Sequence, residues 1–250
     1  MESRHTFSIA SDAYAKNRPQ YPPELFGWLA DQCEDRNVAW DCATGNGQAA
    51  LGLARHFAAV EATDISPEQI EHGFPAANVT YSVQPAEHTR FPNGTFDLVA
   101  VAQGLHWFDF GLFWPEVSRT AKRGAFFCAW GYDRFEGDAE LEASLFTPVL
   151  AILDPFWAPQ NRIMWRGYRS DEIAFPFARV DAPAFTIEVR WTVQEIVDHM
   201  RTWSAYKKAS ADPGLAHQIA ALEADAIRCF QSAGAMTLSV PLQMVAGRIS

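Results

Sequence analysis

Two carboxylates and two glycines stand at a spacing that suits the binding of a nucleoside. Asp41 opens the turn Ala43-Thr44-Gly45-Asn46-Gly47, and Asp64 follows one helix length and one short apolar run later. Gly45 and Gly47 permit a tight turn, because glycine tolerates positive φ and lets a ligand approach the backbone. A carboxylate at the Asp64 position can accept hydrogen bonds from both hydroxyls of a ribose. Its alternative role is to tie down the start of the helix that follows. The turn lacks a third glycine, since Ala50 stands where a dinucleotide fold would place it. That moves the expectation from a dinucleotide to a nucleoside without a pyrophosphate.

The elements that must carry these residues follow from hydrophobic spacing. Val38 to Trp40 reads as a short buried strand, Ala49 to Ala59 as a helix, and Ala58 to Thr63 as a second strand ending on Asp64. Glu24 to Cys33 precedes them as a helix. Ser66-Pro67-Glu68 opens another, with serine as the cap and proline at the first helical position. Val79 to Val83 alternates as a third strand, and the near-continuous apolar run Phe96 to Ala102 suits a strand covered on both faces. A helix over Leu112 to Ala121 and a fifth strand over Ala125 to Trp130 complete a βα alternation, which predicts a parallel sheet with helices on both sides. The regularity breaks over residues 133–180, rich in Trp, Phe and Pro, where a helical cap or insertion is expected. Ala184 to Trp191 regains strand character. Thr192 to Tyr206 and Ala216 to Ala233 read as helices, and Met236 to Val245 as a closing strand. The whole of 1–250 is expected to be one domain carrying that insertion.

Thirty acidic against twenty basic side chains give a formal charge of −10, which disfavours a non-specific nucleic-acid surface. Cys33, Cys42, Cys128 and Cys229 are scattered without a Cys-x-x-Cys pair or histidines at ligand spacing, so reduced thiols are expected and no metal. No apolar run reaches the length of a membrane span, and Met1 to Phe7 lacks the character of a signal peptide. The expectation is a soluble, cytoplasmic protein acting on a small molecule, without membrane or nucleic-acid partner. Its oligomeric state is not legible.

Taken in order, these motifs resemble the class I S-adenosylmethionine-dependent methyltransferases, and more narrowly the small-molecule group that includes the trans-aconitate methyltransferases. The resemblance rests on Ala13 to Pro22, the glycine loop Asp41 to Gly47, Asp64-Ile65-Ser66, Pro85-Ala86-Glu87-His88, Gln103 to Asp109, and Arg201 to Tyr206. It implies a Rossmann-like α/β fold: a seven-stranded, mostly parallel sheet, with a helical insertion after strand 5 and the last strand antiparallel beside the fifth. It implies S-adenosyl-L-methionine as cofactor. Asp41, Ala43, Thr44 and Gly45 would line its methionine part, and Asp64 would hold the ribose. Ile65 would pack on the adenine, with Ala86 and Glu87 framing the adenine edge. Gln103 would lie near the amino-acid end, and His106 and Trp107 beside the methyl group. The loop departs from the family pattern at Ala43, where the first glycine is usual.

Physical chemistry adds to these roles. The cofactor is a sulfonium, so Tyr14, Tyr21 or Trp107 could stabilise it by cation–π contact, worth on the order of 1 kcal/mol; ordinary packing is the alternative for the two tyrosines. Arg18 could pair with the methionine carboxylate or an acidic substrate, because a guanidinium fork matches a carboxylate; a surface charge is the alternative. His106 could act as a base toward an acceptor, although a carboxylate acceptor needs none, and pocket lining is the preferred expectation. Arg162 and Arg166 are weaker candidates for substrate contacts. The leading expected reaction is in-line methyl transfer to a carboxylate of a small organic acid. A carbon or nitrogen acceptor, or a non-catalytic cofactor-binding protein of the same fold, are the alternatives.

Overall fold

The computed structural model of the protein describes residues 19–250. A seven-stranded sheet runs in the order β3-β2-β1-β4-β5-β9-β6. Its parallel members are β1 (Val38–Cys42), β2 (Ala59–Asp64), β3 (Val79–Val83), β4 (Phe96–Ala102) and β5 (Ala121–Gly131). The short β6 (Ala178–Arg179) and β9 (Gln243–Arg248) complete it, with β9 antiparallel to both β5 and β6. The expected fold class is therefore observed. Strand order reverses between β1 and β4, so a crevice opens past their carboxyl ends, where open α/β sheets bind ligands.

The apolar run of β4 is buried along nearly its whole length, as its composition requires. Trp40 of β1 stacks on Phe96 of β4 with ring centroids 5.5 Å apart, and its indole N–H donates to Thr63 Oγ1 at 2.8 Å. Helix α1 (Pro23–Asp31) buries Leu25, Phe26 and Leu29, and α2 (Gln48–Leu53) buries Ala49, Ala50 and Leu53. The helix expected to continue to Ala59 stops at Leu53, where tight turns through Arg55 and His56 deliver the chain to β2. Helix α3 (Pro67–Glu71) is capped by Ser66 as expected, its hydroxyl accepting from Gln69 N–H. Helix α4 (Phe110–Thr120) packs Phe113, Trp114 and Val117 into the core and is capped by Asp109.

Past β5 the chain departs from the expected layout. Tyr21–Asp133, Gln160–Thr186 and Pro241–Ser250 form the unit that contains the large sheet. Arg134–Pro159 and Ile187–Val240, with residues 19 and 20, form a second unit. Residues 133–180, expected as one insertion, are thus divided between the two. The second unit is largely helical, with Thr147–Leu153, Val193–Met200, Ser204–Ala209 and Pro213–Phe230 as its main helices. It also carries β7 (Thr186–Trp191) paired with β8 (Met236–Pro241) in a two-stranded sheet. The strand expected over Met236 to Val245 is therefore two strands. Pro241 has no N–H for a ladder, and Leu242 N–H turns instead to Phe185 O at 2.8 Å. The closing strand then resumes at Gln243 and pairs with β5.

Candidate active site

The carboxyl end of β1 carries a buried acid. Asp41 is wholly inaccessible, and its Oδ2 accepts a 2.5 Å hydrogen bond from Thr44 Oγ1 while Oδ1 has no hydrogen-bond partner among the described residues. Burial pushes its carboxyl up to about 7, opposed by the bond from Thr44 and by the nearby Ala50 N–H, and reinforced by the charge of Asp64. The loop above it is pinned to β2: Thr44 N–H donates to Thr63 O at 2.8 Å and Gly45 N–H to Asp64 Oδ2 at 2.9 Å. Gly47 is required where it stands. Its φ is +87°, and a Cβ there would fall 2.0 Å from the Tyr81 hydroxyl.

Asp64 serves the local structure before any ligand does. Its Oδ1 accepts from Ser66 N–H and its Oδ2 from Gly45 N–H, each at 2.9 Å. A carboxylate has about four acceptor positions, so each oxygen retains one. The anchoring role and the ligand role expected for this residue are compatible.

The first residue past each strand at the switch point has an unusual backbone. Ala43 follows β1 with φ +56°, and Gln103 follows β4 with φ +58°. Neither is glycine, so each carries strain on the order of 1 kcal/mol. Room for the Ala43 methyl comes from Gly104, where an added Cβ would sit 2.8 Å from Ala43 Cβ. Gln103 is held by its N–H donating to Trp130 O at 2.8 Å and its amide Nε2 donating to Tyr132 O at 3.2 Å.

A cavity of about 150 Å³ lies beside these turns, lined by Ala43, Asp64, Ile65, Gln84, Ala86, Glu87, Trp107 and Phe108. Six residues picked from the sequence thus share one wall, namely Ala43, Asp64, Ile65, Ala86, Glu87 and Trp107. Gln84 and Phe108 line it as well, without being site candidates in the sequence. Phe108 lies inside the Gln103 to Asp109 motif, and Gln84 precedes Pro85-Ala86-Glu87, so adjacency was the available signal. Ile65 and Trp107 are 74% and 55% exposed, an unfavourable placement for large apolar groups unless something covers them. Glu87 Oε1 accepts from Asp109 N–H at 3.2 Å, tying this wall to the start of α4.

His106 is buried next to Trp107, on the turn Leu105–Trp107. Its Nδ1 lies 3.2 Å from the hydroxyl of Tyr168, and burial lowers its pKa to about 4. Tyr21 packs edge-on against Trp130 at 5.7 Å and also meets Phe26 and Tyr132. Tyr14 and Arg18 lie outside the described residues. Arg166 pairs with Glu172 at 2.7 Å. Among the described residues, no group of three or more His, Cys, Asp or Glu is placed to hold a metal ion, and no helix is long and apolar enough to cross a membrane.

A family of methyltransferase domains matches residues 40–129, the stretch from β1 through most of β5. A solved structure described as a candidate type II methyltransferase from Anaeromyxobacter dehalogenans is 36% identical. It covers 93% of this chain and 98% of its own, with a TM-score of 0.81. This chain is a class I S-adenosylmethionine-dependent methyltransferase. A candidate methyltransferase of Dictyostelium discoideum is 29% identical over 207 residues, covering 80% of this chain and 77% of its own length. A candidate methyltransferase of Bacillus halodurans, 16% identical with a TM-score of 0.51, shares the fold. The methyltransferase thus takes S-adenosylmethionine as its cofactor.

Proposed function

We propose that this methyltransferase transfers its methyl group to a carboxylate oxygen of a small organic acid. The observation that supports this reading best is His106. A hydroxyl, phenol or ammonium acceptor must lose a proton before or during attack, whereas a carboxylate is already a nucleophile. The histidine expected beside the methyl group is buried, with its pKa lowered to about 4, which makes it a poor general base at neutral pH. The four free cysteines support a reducing, cytoplasmic setting. Residues 133–180 are read as a helical insertion within one catalytic domain spanning 1–250.

The residues present suit the cofactor. The partnerless, buried Asp41 Oδ1 suits an ammonium group, and the two remaining acceptor positions of Asp64 suit a ribose diol. Ile65, Ala86 and Glu87 line the cavity where an adenine would be covered. The loop Ala43-Thr44-Gly45 and Gln103 would border its methionine part. Tyr14, Arg18 and Tyr21, from the N-terminal motif, are proposed to help bind the cofactor. When bound, the cofactor supplies an electrophilic methyl on a positively charged sulfur. Trp107 then offers an aromatic face to a cation, and the strained turns at Ala43 and Gln103 hold the flanking walls in place. Alignment of the acceptor with the methyl is the main catalytic task left to the protein.

The test is methyl transfer from labelled cofactor to separate panels of short mono- and dicarboxylic acids, amines, phenols and alcohols. A product whose label is released by mild alkali identifies a methyl ester and supports the reading. Transfer confined to amines or phenols, with an alkali-stable product, refutes it.

A further inference from the structure

Tyr168 is the one partner of the His106 ring nitrogens among the described residues, and it was not part of any motif. The helix Asn161–Trp165 ends in a Schellman turn: Gly167 N–H donates to Met164 O at 2.8 Å and Tyr168 N–H to Ile163 O at 3.1 Å. Gly167 takes the left-handed position with φ +77°, and Tyr168 follows with φ +51°. A tyrosine in that region is strained, and such strain persists only where the surroundings determine it. Here the side chain is completely buried, and its ring lies at 30° to the His106 ring.

The donors at this contact can be counted. A tyrosine hydroxyl carries one proton, and a neutral imidazole carries one proton on one of its two nitrogens. The Tyr168 hydroxyl finds one partner among the described residues, His106 Nδ1 at 3.2 Å. Were the imidazole proton on Nδ1, the hydroxyl proton would be buried without an acceptor, at a cost of roughly 1–3 kcal/mol. The arrangement that satisfies both groups has the hydroxyl donating to an unprotonated Nδ1. The ring proton is then on Nε2. Burial keeps the imidazole neutral and pushes the tyrosine hydroxyl well above its ordinary pKa, so both remain in these forms at neutral pH.

We propose that Tyr168 is a positioning residue that fixes His106 as the Nε2–H tautomer, so that His106 meets the methyl acceptor as a hydrogen-bond donor and not as a base. This deepens the carboxylate reading and rests on it for the acceptor. An N–H donor orients an anionic oxygen, whereas a lone pair at Nε2 would repel it.

The experiment is nitrogen NMR of the full-length protein labelled with ¹⁵N-histidine at neutral pH, with His106 assigned by its absence in His106→Gln. The expected result is a pyridine-type Nδ1 and a protonated, pyrrole-type Nε2. Tyr168→Phe should shift this towards a mixture of tautomers with little change in Tm. A protonated Nδ1 in the wild-type protein overturns the proposal, as does a wild-type pattern that Tyr168→Phe leaves unaltered. If a carboxylate acceptor is found, Tyr168→Phe should raise its KM roughly two- to tenfold, the worth of one neutral hydrogen bond, while kcat changes little. His106→Gln, which keeps an N–H donor, should then retain more activity than His106→Ala. A fall in kcat with unchanged KM in Tyr168→Phe would instead restore the base and overturn the proposal. Failure of every acid as acceptor refutes the carboxylate reading alone, because the nitrogen shifts report the tautomer without any acceptor.

Discussion

The two ends of the large sheet treat a buried carboxylate in opposite ways. At the amino end, Asp97 of β4 is fully engaged: Oδ2 accepts from Asn37 N–H and Val38 N–H, each at 2.9 Å, and Oδ1 accepts from Lys122 Nζ. At the carboxyl end, Asp41 of β1 keeps one oxygen without a hydrogen-bond partner among the described residues, and backbone at positive φ follows at Ala43. The first arrangement satisfies its charge and binds three strands together. The second leaves unfavourable groups in place, which is the mark of a site shaped for a ligand and not for stability. Along the same strands, the fully paired acid stands at one end and the turn that lines the cavity at the other.

Removing either carboxylate should have opposite consequences at the two ends. Asp97→Ala should cost about 2–3 kcal/mol of folding stability in a denaturant titration, since it leaves two N–H groups without their acceptor, while the partly exposed Lys122 ammonium stays solvated. The folded fraction should still bind cofactor with ordinary affinity. Asp64→Ala should act the other way round, weakening cofactor binding by about 100-fold in calorimetry, from lost ligand contacts and a released Gly45 loop. Equal effects of the two variants on binding would erase the distinction between the two ends.

Smaller effects are expected at the two strained turns. Gly104→Ala should destabilise by roughly 1–3 kcal/mol because the new methyl meets Ala43 at 2.8 Å. Ala43→Gly should relieve much of that, and alone should raise stability by up to about 1 kcal/mol by removing strain. Additive Tm changes in the double variant would show that the two turns are uncoupled. A separate readout is the pH dependence of stability. The Asp41 carboxyl is raised from 3.8 to about 7 by burial, so its charged form is disfavoured in the folded state. Its contribution to stability is complete below pH 4 and is lost as pH rises through 7. Asp41→Asn lacks this loss, so its stability relative to wild type should climb over that window while cofactor affinity falls. A constant difference between pH 4 and 8 would contradict the burial account.

Buried acids elsewhere follow the pattern of Asp97. Glu116 accepts from Thr89 and Arg119 and is held at about 2 despite its burial. In the helical unit, Glu223 accepts from Arg201 at 2.7 Å and Tyr206 at 2.8 Å. The segment Arg201 to Tyr206 is therefore held by Glu223 at both its ends.

What could be read from residues alone was local. The glycine loop, Asp64 after one βα step, the Ser66 cap and the apolar run of β4 each express a short-range rule of turn geometry, capping or burial, and each is observed. The sequence by itself thus determined the fold class, the cofactor and most of the wall beside Asp64. Tertiary structure decided the rest. Ala178–Arg179 is too short to announce itself as a strand, and a missing N–H at Pro241 matters only once β8 has a partner. The positive φ of Gln103 depends on the turn after β4, and the proton on His106 depends on a tyrosine 62 residues away. These features depend on which donor meets which acceptor across the chain. Hydrophobic periodicity carries no record of that pairing.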